Sequence, residues 1–254
     1  MSAPLVLMLT SILLAPSTSD HLNSLLRFPE GSSTGNTVTV FPDLSAARSE
    51  FSVCTWLRKR LDQSKTGAPW FSYTAPTSRK SLLLTIGGFH VMVASGISYP
   101  LKFEAKIMRD EWYHTCFTWK SGTAEYYING VLVPLTGLHP IGKVTVGGTL
   151  VLGQGPGNSE FNISDTFSGD IYQLNVFKRT LTMEDVSEMY YNGRCAELCR
   201  ALAYQVVLSW ADVLEKGEMK GEVTKEDSEC SVTWGLVGEM TEMLVRNVGK
   251  RKEM

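Results

Sequence analysis

Residues 36–177 form a succession of short apolar segments separated by turn signals, and this pattern limits the fold more than any other feature of the sequence. The segments are rich in β-branched and aromatic residues, and no amphipathic helix is interleaved with them. Asn129-Gly130, between two of them, is typical of a two-residue hairpin turn. The predicted strands cover 37–41, 51–57, 81–86, 89–94, 111–119, 125–128, 131–133, 149–154 and 169–177. Many short strands of this kind predict an all-β sandwich or jelly roll.

One helix is predicted after these strands, over residues 182–193. Thr182 stands at an N-cap position with Asp185 three residues later, and Gly193 stands where a glycine commonly ends a helix. The apolar face of this helix consists of Val186, Met189 and Tyr190. We therefore expect a single helix packed on one sheet. Beyond it, 194–207 is compatible with a second helix or an extended insertion, and 206–210 resembles a strand. The sequence from Glu215 onward is polar without a clear period, so we expect 215–254 to be loosely packed or disordered.

The start of the chain predicts secretion. Residues 5–15 are apolar but too few to cross a membrane, and Ser17 and Ser19 are placed for cleavage before Asp20. A buried N-terminal strand or helix is the alternative, since no Lys or Arg precedes the apolar run. No later run is long and apolar enough for a membrane helix.

The net charge of -2, without a basic stripe, argues against a nucleic-acid partner.

Residues 114–121, His-Thr-Cys-Phe-Thr-Trp-Lys-Ser, raise the question of a catalytic or metal site. On a strand, His114 and Cys116 share one face and Trp119 lies on the other. A nucleophilic Cys-His pair also requires an orienting residue, an oxyanion hole and a pocket, and zinc requires further ligands at fixed spacing. The remaining histidines, His21, His90 and His139, are isolated. We therefore expect the octapeptide to be structural.

The chain has five cysteines, which in a secreted protein predicts disulfides and one remaining thiol. Cys54 and Cys116 lie on separate predicted strands, and we expect them to face inward and to join the two layers of the sandwich. Cys195, Cys199 and Cys230 allow three pairings. A pair between Cys230 and one of the other two is favoured, because regular helical geometry would suit a Cys195–Cys199 bond poorly. The remaining thiol would either link subunits or be free and buried.

The octapeptide resembles the pentraxin signature His-x-Cys-x-Ser/Thr-Trp-x-Ser/Thr at every fixed position. Further segments resemble short pentraxins in order: 25–44, 51–61, 70–84, 125–133, 150–154, 167–177, the predicted helix and 207–223. The resemblance implies a concanavalin- and laminin-G-like jelly roll with an intradomain disulfide between Cys54 and Cys116, a ring of five subunits, and a calcium-dependent ligand face opposite the helix. We accordingly divide the chain into a signal peptide (1–19), a pentraxin-like domain (20–223) and a polar C-terminal tail (224–254).

The calcium ligands implied by the resemblance are largely absent. The family's Asp-Asn pair falls on Arg79 and Lys80, and its acidic run after Leu-Gly-Gln is replaced by Gly155, Pro156 and Gly157. Calcium takes six to eight oxygens, several of them anionic. Only Asn162, Asp165 and Glu160 remain as oxygen donors, so calcium is the cofactor that the family implies but none is expected here.

Asn162-Ile163-Ser164 is a glycosylation sequon, and a glycan at Asn162 would stand on the loop that holds calcium in the family. Arg79 and Lys80 either contact an anionic ligand or belong to a solvated charged loop.

Sandwich glycosidases need the pattern Glu-x-Asp-x-x-Glu on one strand. The nearest run in this sequence, 160–165, lacks that spacing, so no enzymatic activity is expected.

These features predict a secreted pentraxin-like recognition protein that binds an extracellular ligand through a degenerate calcium face, as a homopentamer. The alternative is a pentraxin-like ectodomain fragment of an adhesion-type G-protein-coupled receptor, since such modules also lack calcium ligands and the tail has no family resemblance.

Overall fold

The computed structural model of the chain describes residues 23–30, 35–45, 49–60, 69–75, 82–86, 88–92, 98–103, 107–120, 123–137, 147–155 and 166–230. Its strands are β1 (Ser24–Phe28), β2 (Thr37–Val40), β3 (Glu50–Lys59), β4 (Pro69–Thr74), β5 (Leu82–Thr85), β6 (Gly88–Met92), β7 (Ser98–Phe103), β8 (Trp112–Lys120), β9 (Thr123–Ile128), β10 (Val131–Val133), β11 (Leu135–Gly137), β12 (Thr149–Leu152), β13 (Gly169–Phe177), β14 (Val206–Leu208), β15 (Glu218–Lys220) and β16 (Thr224–Asp227). Its helices are α1 (Met183–Tyr191), α2 (Arg200–Ala203) and α3 (Trp210–Lys216).

The described strands form two antiparallel sheets that pack face to face. Sheet A has the order β10-β9-β8-β3-β13-β1-β16, with β14 also pairing with β13, and sheet B has the order β11-β7-β6-β5-β4-β12-β2-β15. The predicted all-β sandwich is confirmed. The hairpin turn is also confirmed: Asn129 (φ 51°) and Gly130 (φ 77°) take the left-handed conformations that a tight turn between β9 and β10 requires.

The core lies between the sheets and is filled from alternate positions of each strand. Phe117 and Trp119 of β8 are fully buried and contact the core cluster that includes Leu84 of β5 and Leu150 of β12. Because successive strand residues point to opposite faces, this places His114 and Cys116 on the other side of sheet A. We call that side, turned away from sheet B, the outer face.

The helix predicted at 182–193 is confirmed as α1. Thr182 and Asp185 form a reciprocal capping box, and Gly193 follows the C-cap residue Asn192 with φ 85°. Two further helices are present in the described residues, so the expectation of a single helix on the sheet is wrong. The short α2 lies in 194–207, where a second helix was one of two expectations, whereas α3 was not predicted. Ser209 and Asp212 cap α3 in the same way, but the β-branched run before Ser209 hid this signal and favoured a longer strand.

The expectation of loose packing from residue 215 onward is wrong for residues 215–230. In sheet B, β15 pairs with β2, and in sheet A, β16, which lies in the predicted tail, pairs with β1 at one edge. Both are edge strands with mostly exposed side chains, so they carry charged residues in place of alternating apolar ones. The folded part of the described chain extends to Cys230, which is buried.

The described helices include none with the length and apolarity needed to cross a bilayer. The predicted signal peptide, residues 1–19, lies outside the described residues.

Candidate functional site

The outer face of sheet A gathers three groups of side chains in a row along β3 and its neighbours. Residues directly opposite each other in antiparallel strands share a face. Cys54 therefore lies beside Cys116, Trp56 beside His114, and Arg58 beside Trp112. The first pair lies under α1 and α2, the second beside α1, and the third near the beginning of β8 and β13.

A disulfide joins Cys54 and Cys116, whose Cα atoms are 4.1 Å apart. Both residues are fully buried in a cluster with Phe177 of β13, Val186 of α1 and Leu202 of α2. The bond therefore links two neighbouring strands of one sheet, and the expectation that it faces inward and joins the two layers is wrong. The helices cover this part of the outer face, so both faces of β3 and β8 are buried there, and the residue pattern did not distinguish them.

His114 is enclosed by aromatic rings. Its ring centre lies 5.1 Å from that of Trp56 and 6.4 Å from that of Tyr190, which stacks on Trp56 at 6.0 Å. Its backbone N–H donates to Asn129 Oδ1 (2.9 Å), and its Nε2 lies 3.8 Å from Cys116 Sγ. Burial lowers the pKa of His114 from 6.5 to about 4. A neutral imidazole beside a sulfur already held in a disulfide has no thiolate to activate.

A shallow cleft opens between the aromatic row and α1. It encloses about 410 Å³, open solvent included, and its floor includes His114, Gln173 and Asn175. Gln173 sits in a bulge of β13 with φ 52°, and its Nε2 donates to the carbonyl of Ala196 (3.1 Å). His114 Nδ1, which lines this region, has no hydrogen-bond partner among the described residues.

The remaining cysteines are now assigned. Cys195 and Cys230 form a second disulfide, with Cα atoms 5.2 Å apart, which ties the segment after α1 to the end of the described chain. Cys199 is the free cysteine of the described chain; it is partly exposed and lines the cleft. Of the three pairings that the sequence allowed, this is one of the two favoured ones.

An arginine cluster occupies the far end of the outer face. Asp170, fully buried, accepts hydrogen bonds from the Nε atoms of Arg27 (2.9 Å), Arg58 (2.7 Å) and Arg60 (3.2 Å). The guanidinium carbons of Arg58 and Arg194 lie 4.6 and 4.7 Å from the ring centre of Trp112. We define the arginine cluster as Arg27, Arg58, Arg60 and Arg194. Sequence reasoning missed it, because its members come from strands far apart in the chain.

The predicted calcium positions are largely beyond the described part of the chain. Gly155 follows β12 and is described, whereas the other positions are not: Arg79, Lys80, Pro156, Gly157, Glu160, Asn162 and Asp165. Within the described ranges, no group of three or more His, Cys, Asp or Glu side chains is arranged to hold a metal ion. The sequon at Asn162 is likewise not described.

The pKa of His114 predicts how stability depends on pH. The folded protein opposes protonation of this ring, so its contribution is complete above pH 6.5 and is lost as the pH falls toward 4. We expect the wild type to lose on the order of 2 kcal/mol more than His114→Gln between neutral pH and pH 4.5. Urea unfolding of both proteins at each pH measures this difference. Equal losses, or a His114 resonance that titrates near 6.5 by NMR, would contradict it.

Comparisons with known proteins agree with this architecture. Residues 32–187 match the family model of the concanavalin A-like lectin/glucanases superfamily. The chain is 28% identical to the neuronal pentraxin receptor of Homo sapiens over 172 residues, covering 65% of this chain and 32% of that protein. It is also 28% identical to the serum amyloid P-component of Cavia porcellus over 173 residues, covering 65% of this chain and 74% of that protein.

Among solved structures, the heptameric SAP-like pentraxin of Limulus polyphemus superposes with a TM-score of 0.62 at 18% identity, covering 83% of this chain and 98% of that one. The matched segment spans less than a third of the length of the neuronal pentraxin receptors of Rattus norvegicus (28%) and Homo sapiens (32%).

Proposed function

Because the chain belongs to the concanavalin A-like lectin/glucanases superfamily and contains a pentraxin-like domain, we propose that it is a secreted, non-catalytic protein that recognises an extracellular ligand. One observation carries this proposal. The signature octapeptide, where a Cys-His nucleophile would have to be, is part of the framework: Cys116 is bonded to Cys54, and His114 is buried against Trp56 and Tyr190.

Secretion is supported by the two disulfides, because such bonds persist in oxidising compartments and are rare in the cytosol. The predicted signal peptide at 1–19 agrees with this assignment. Glycosylation at Asn162 is part of the same proposal, since the sequon meets the glycosylation machinery only in a chain that enters the secretory pathway.

Recognition is proposed to be independent of calcium. Two cations, Arg79 and Lys80, stand where the family has oxygen ligands, and Gly155, Pro156 and Gly157 replace its acidic run. Calcium binding depends on the number of anionic oxygens around the ion. Asn162, Asp165 and Glu160 supply too few such oxygens.

Assembly into a ring is proposed by analogy with the Limulus relative, whose structure is heptameric; the number of subunits expected from the resemblance is five. The relatives reported above are pentraxins, and they give no support to the alternative of an adhesion-type G-protein-coupled receptor fragment.

Native mass spectrometry of the mature protein in millimolar calcium and in chelator tests calcium independence and assembly together. We expect one multimeric mass in both conditions and no specific heat when the same calcium is titrated into the protein in a calorimeter. A two-site calcium isotherm, or a ring that forms only with calcium, would overturn calcium independence. A monomer in both conditions would instead favour the receptor-module alternative.

A further inference from the structure

We propose that the arginine cluster binds a sulfate or phosphate monoester group of the recognised ligand. The inference deepens the proposed function and rests on it, because it names a chemical group that a non-catalytic recognition domain would contact. It places this contact on the outer face of sheet A, which the resemblance did not implicate in ligand binding.

The guanidinium groups are already held in place. Asp170 has no solvent exposure and binds three of them through their Nε atoms. The side chains of Arg58 and Arg60 are 17% and 28% exposed, so part of each is in contact with solvent. A cluster fixed in this way loses little side-chain freedom when an anion binds. Arginine is suited to the task because its planar group donates several hydrogen bonds to an oxyanion.

Among the described residues, the ion pairs of the four-arginine cluster involve two carboxylates, those of Asp170 and Glu226, so the cluster has an excess of positive charge. Arg27 has a second partner, Glu226, besides Asp170. In contrast, Arg58 and Arg60 share a single oxygen, Oδ2 of Asp170, and make no further ion pair among the described residues. We take their Nη atoms, which have no ion-pair partner in the described part of the chain, as the donors to the ligand. The surplus charge lies where these two side chains meet the surface.

Arg194 adds to the surplus from the segment after α1. Its guanidinium and that of Arg58 both lie against Trp112, and its Nη1 donates to the backbone carbonyl of Ser228 (2.6 Å). Burial lowers the pKa of Arg194, and the nearby charge of Arg58 acts in the same direction. An anion placed near both groups would relieve this repulsion.

The arrangement favours a tetrahedral oxyanion over a carboxylate. The guanidinium groups of the cluster come from three separate segments: Arg27 from β1, Arg58 and Arg60 from the end of β3, and Arg194 from the residue after Gly193. Three terminal oxygens of a monoester can meet donors from several directions, whereas a carboxylate offers two oxygens in one plane. Sulfate and phosphate esters share this chemistry, so the experiment uses one of each on the same sugar.

The test is an NMR titration of the whole mature chain with galactose 6-sulfate, galactose 6-phosphate and unmodified galactose, followed through the indole N–H of Trp112. We expect saturable shifts with at least one ester and none with galactose. Arg58→Gln/Arg60→Gln should weaken binding about tenfold. The matched control is Arg109→Gln/Lys120→Gln, which removes the same charge from two exposed, carboxylate-paired side chains; it should change affinity less than twofold.

The single variant Arg60→Gln leaves Asp170 with two partners and should weaken binding about threefold, so the test does not depend on the double variant folding. Binding of only one ester identifies the source of the group and supports the proposal. Absence of saturable shifts, equal shifts with galactose, or equal losses in the variants and the control would overturn it. None of these results would alter the mass or calcium results that test the proposed function.

Discussion

Replacing both Cys54 and Cys116 with alanine is expected to lower the free energy of unfolding by about 4 kcal/mol, because the bond closes a loop of 62 residues and its loss frees the unfolded chain. The buried cluster beneath α1 and α2, which includes Val186 and Leu202, also loses two sulfur atoms. Urea unfolding of the two oxidised proteins measures the difference.

Cys199→Ala is the matched control for this pair. Cys199 has no disulfide and is only partly buried, so its replacement should change the free energy of unfolding by no more than about 0.5 kcal/mol. A double variant that loses less than about 1 kcal/mol, or a control that loses as much as the double variant, would show that the bond between β3 and β8 does not stabilise the sheet.

Asp170→Asn is expected to lower the free energy of unfolding by about 3 kcal/mol, since removing one partner of a buried ion pair leaves the other charge uncompensated. The carboxylate is the common acceptor of Arg27, Arg58 and Arg60. The value lies at the low end for buried pairs because the three guanidiniums are partly exposed and remain partly solvated. Thermal and urea unfolding both measure the loss.

Glu226→Gln makes the same carboxylate-to-amide change in the same cluster. Glu226 is 36% exposed, pairs with Arg27 and accepts a hydrogen bond from Thr224 Oγ1 (3.2 Å), so this control should lose less than about 1 kcal/mol. If Asp170→Asn costs no more than the control, Asp170 does not organise the arginine cluster, and the pre-organisation argued for anion binding would fail with it.

The local parts of the fold were predictable from the sequence. The hairpin at Asn129-Gly130 and the helix begun by Thr182 depend on residues within one turn of each other, and their signals are correspondingly direct. Alternation along β8 likewise separated His114 and Cys116 from Phe117 and Trp119.

Two features were not predictable because they depend on what covers a strand. Period-two alternation divides β3 and β8 into two faces, but it does not say which face meets sheet B. Since α1 and α2 bury part of the outer face, Cys54 and Cys116 are as buried as the core residues. The edge strands β15 and β16 were missed for the opposite reason, because exposed charged residues carry no apolar period.

The arginine cluster was invisible to sequence reasoning for a third reason. Arg27 and Arg58 are separated from Asp170 by 143 and 112 residues, and only the pairing of β13 with both β1 and β3 brings them together. The same pairing puts the cluster, the aromatic row and the disulfide on one face. A site of this kind is recognised only after strand order and register are known.

Peptide mapping of the natively folded protein under non-reducing conditions tests most directly whether the octapeptide is framework. We expect one linked pair of peptides containing Cys54 and Cys116, a second containing Cys195 and Cys230, and a free thiol at Cys199. Recovery of Cys54 and Cys116 as free thiols in folded protein would contradict the account, because Cys116 would then be available beside His114 for the chemistry that we exclude.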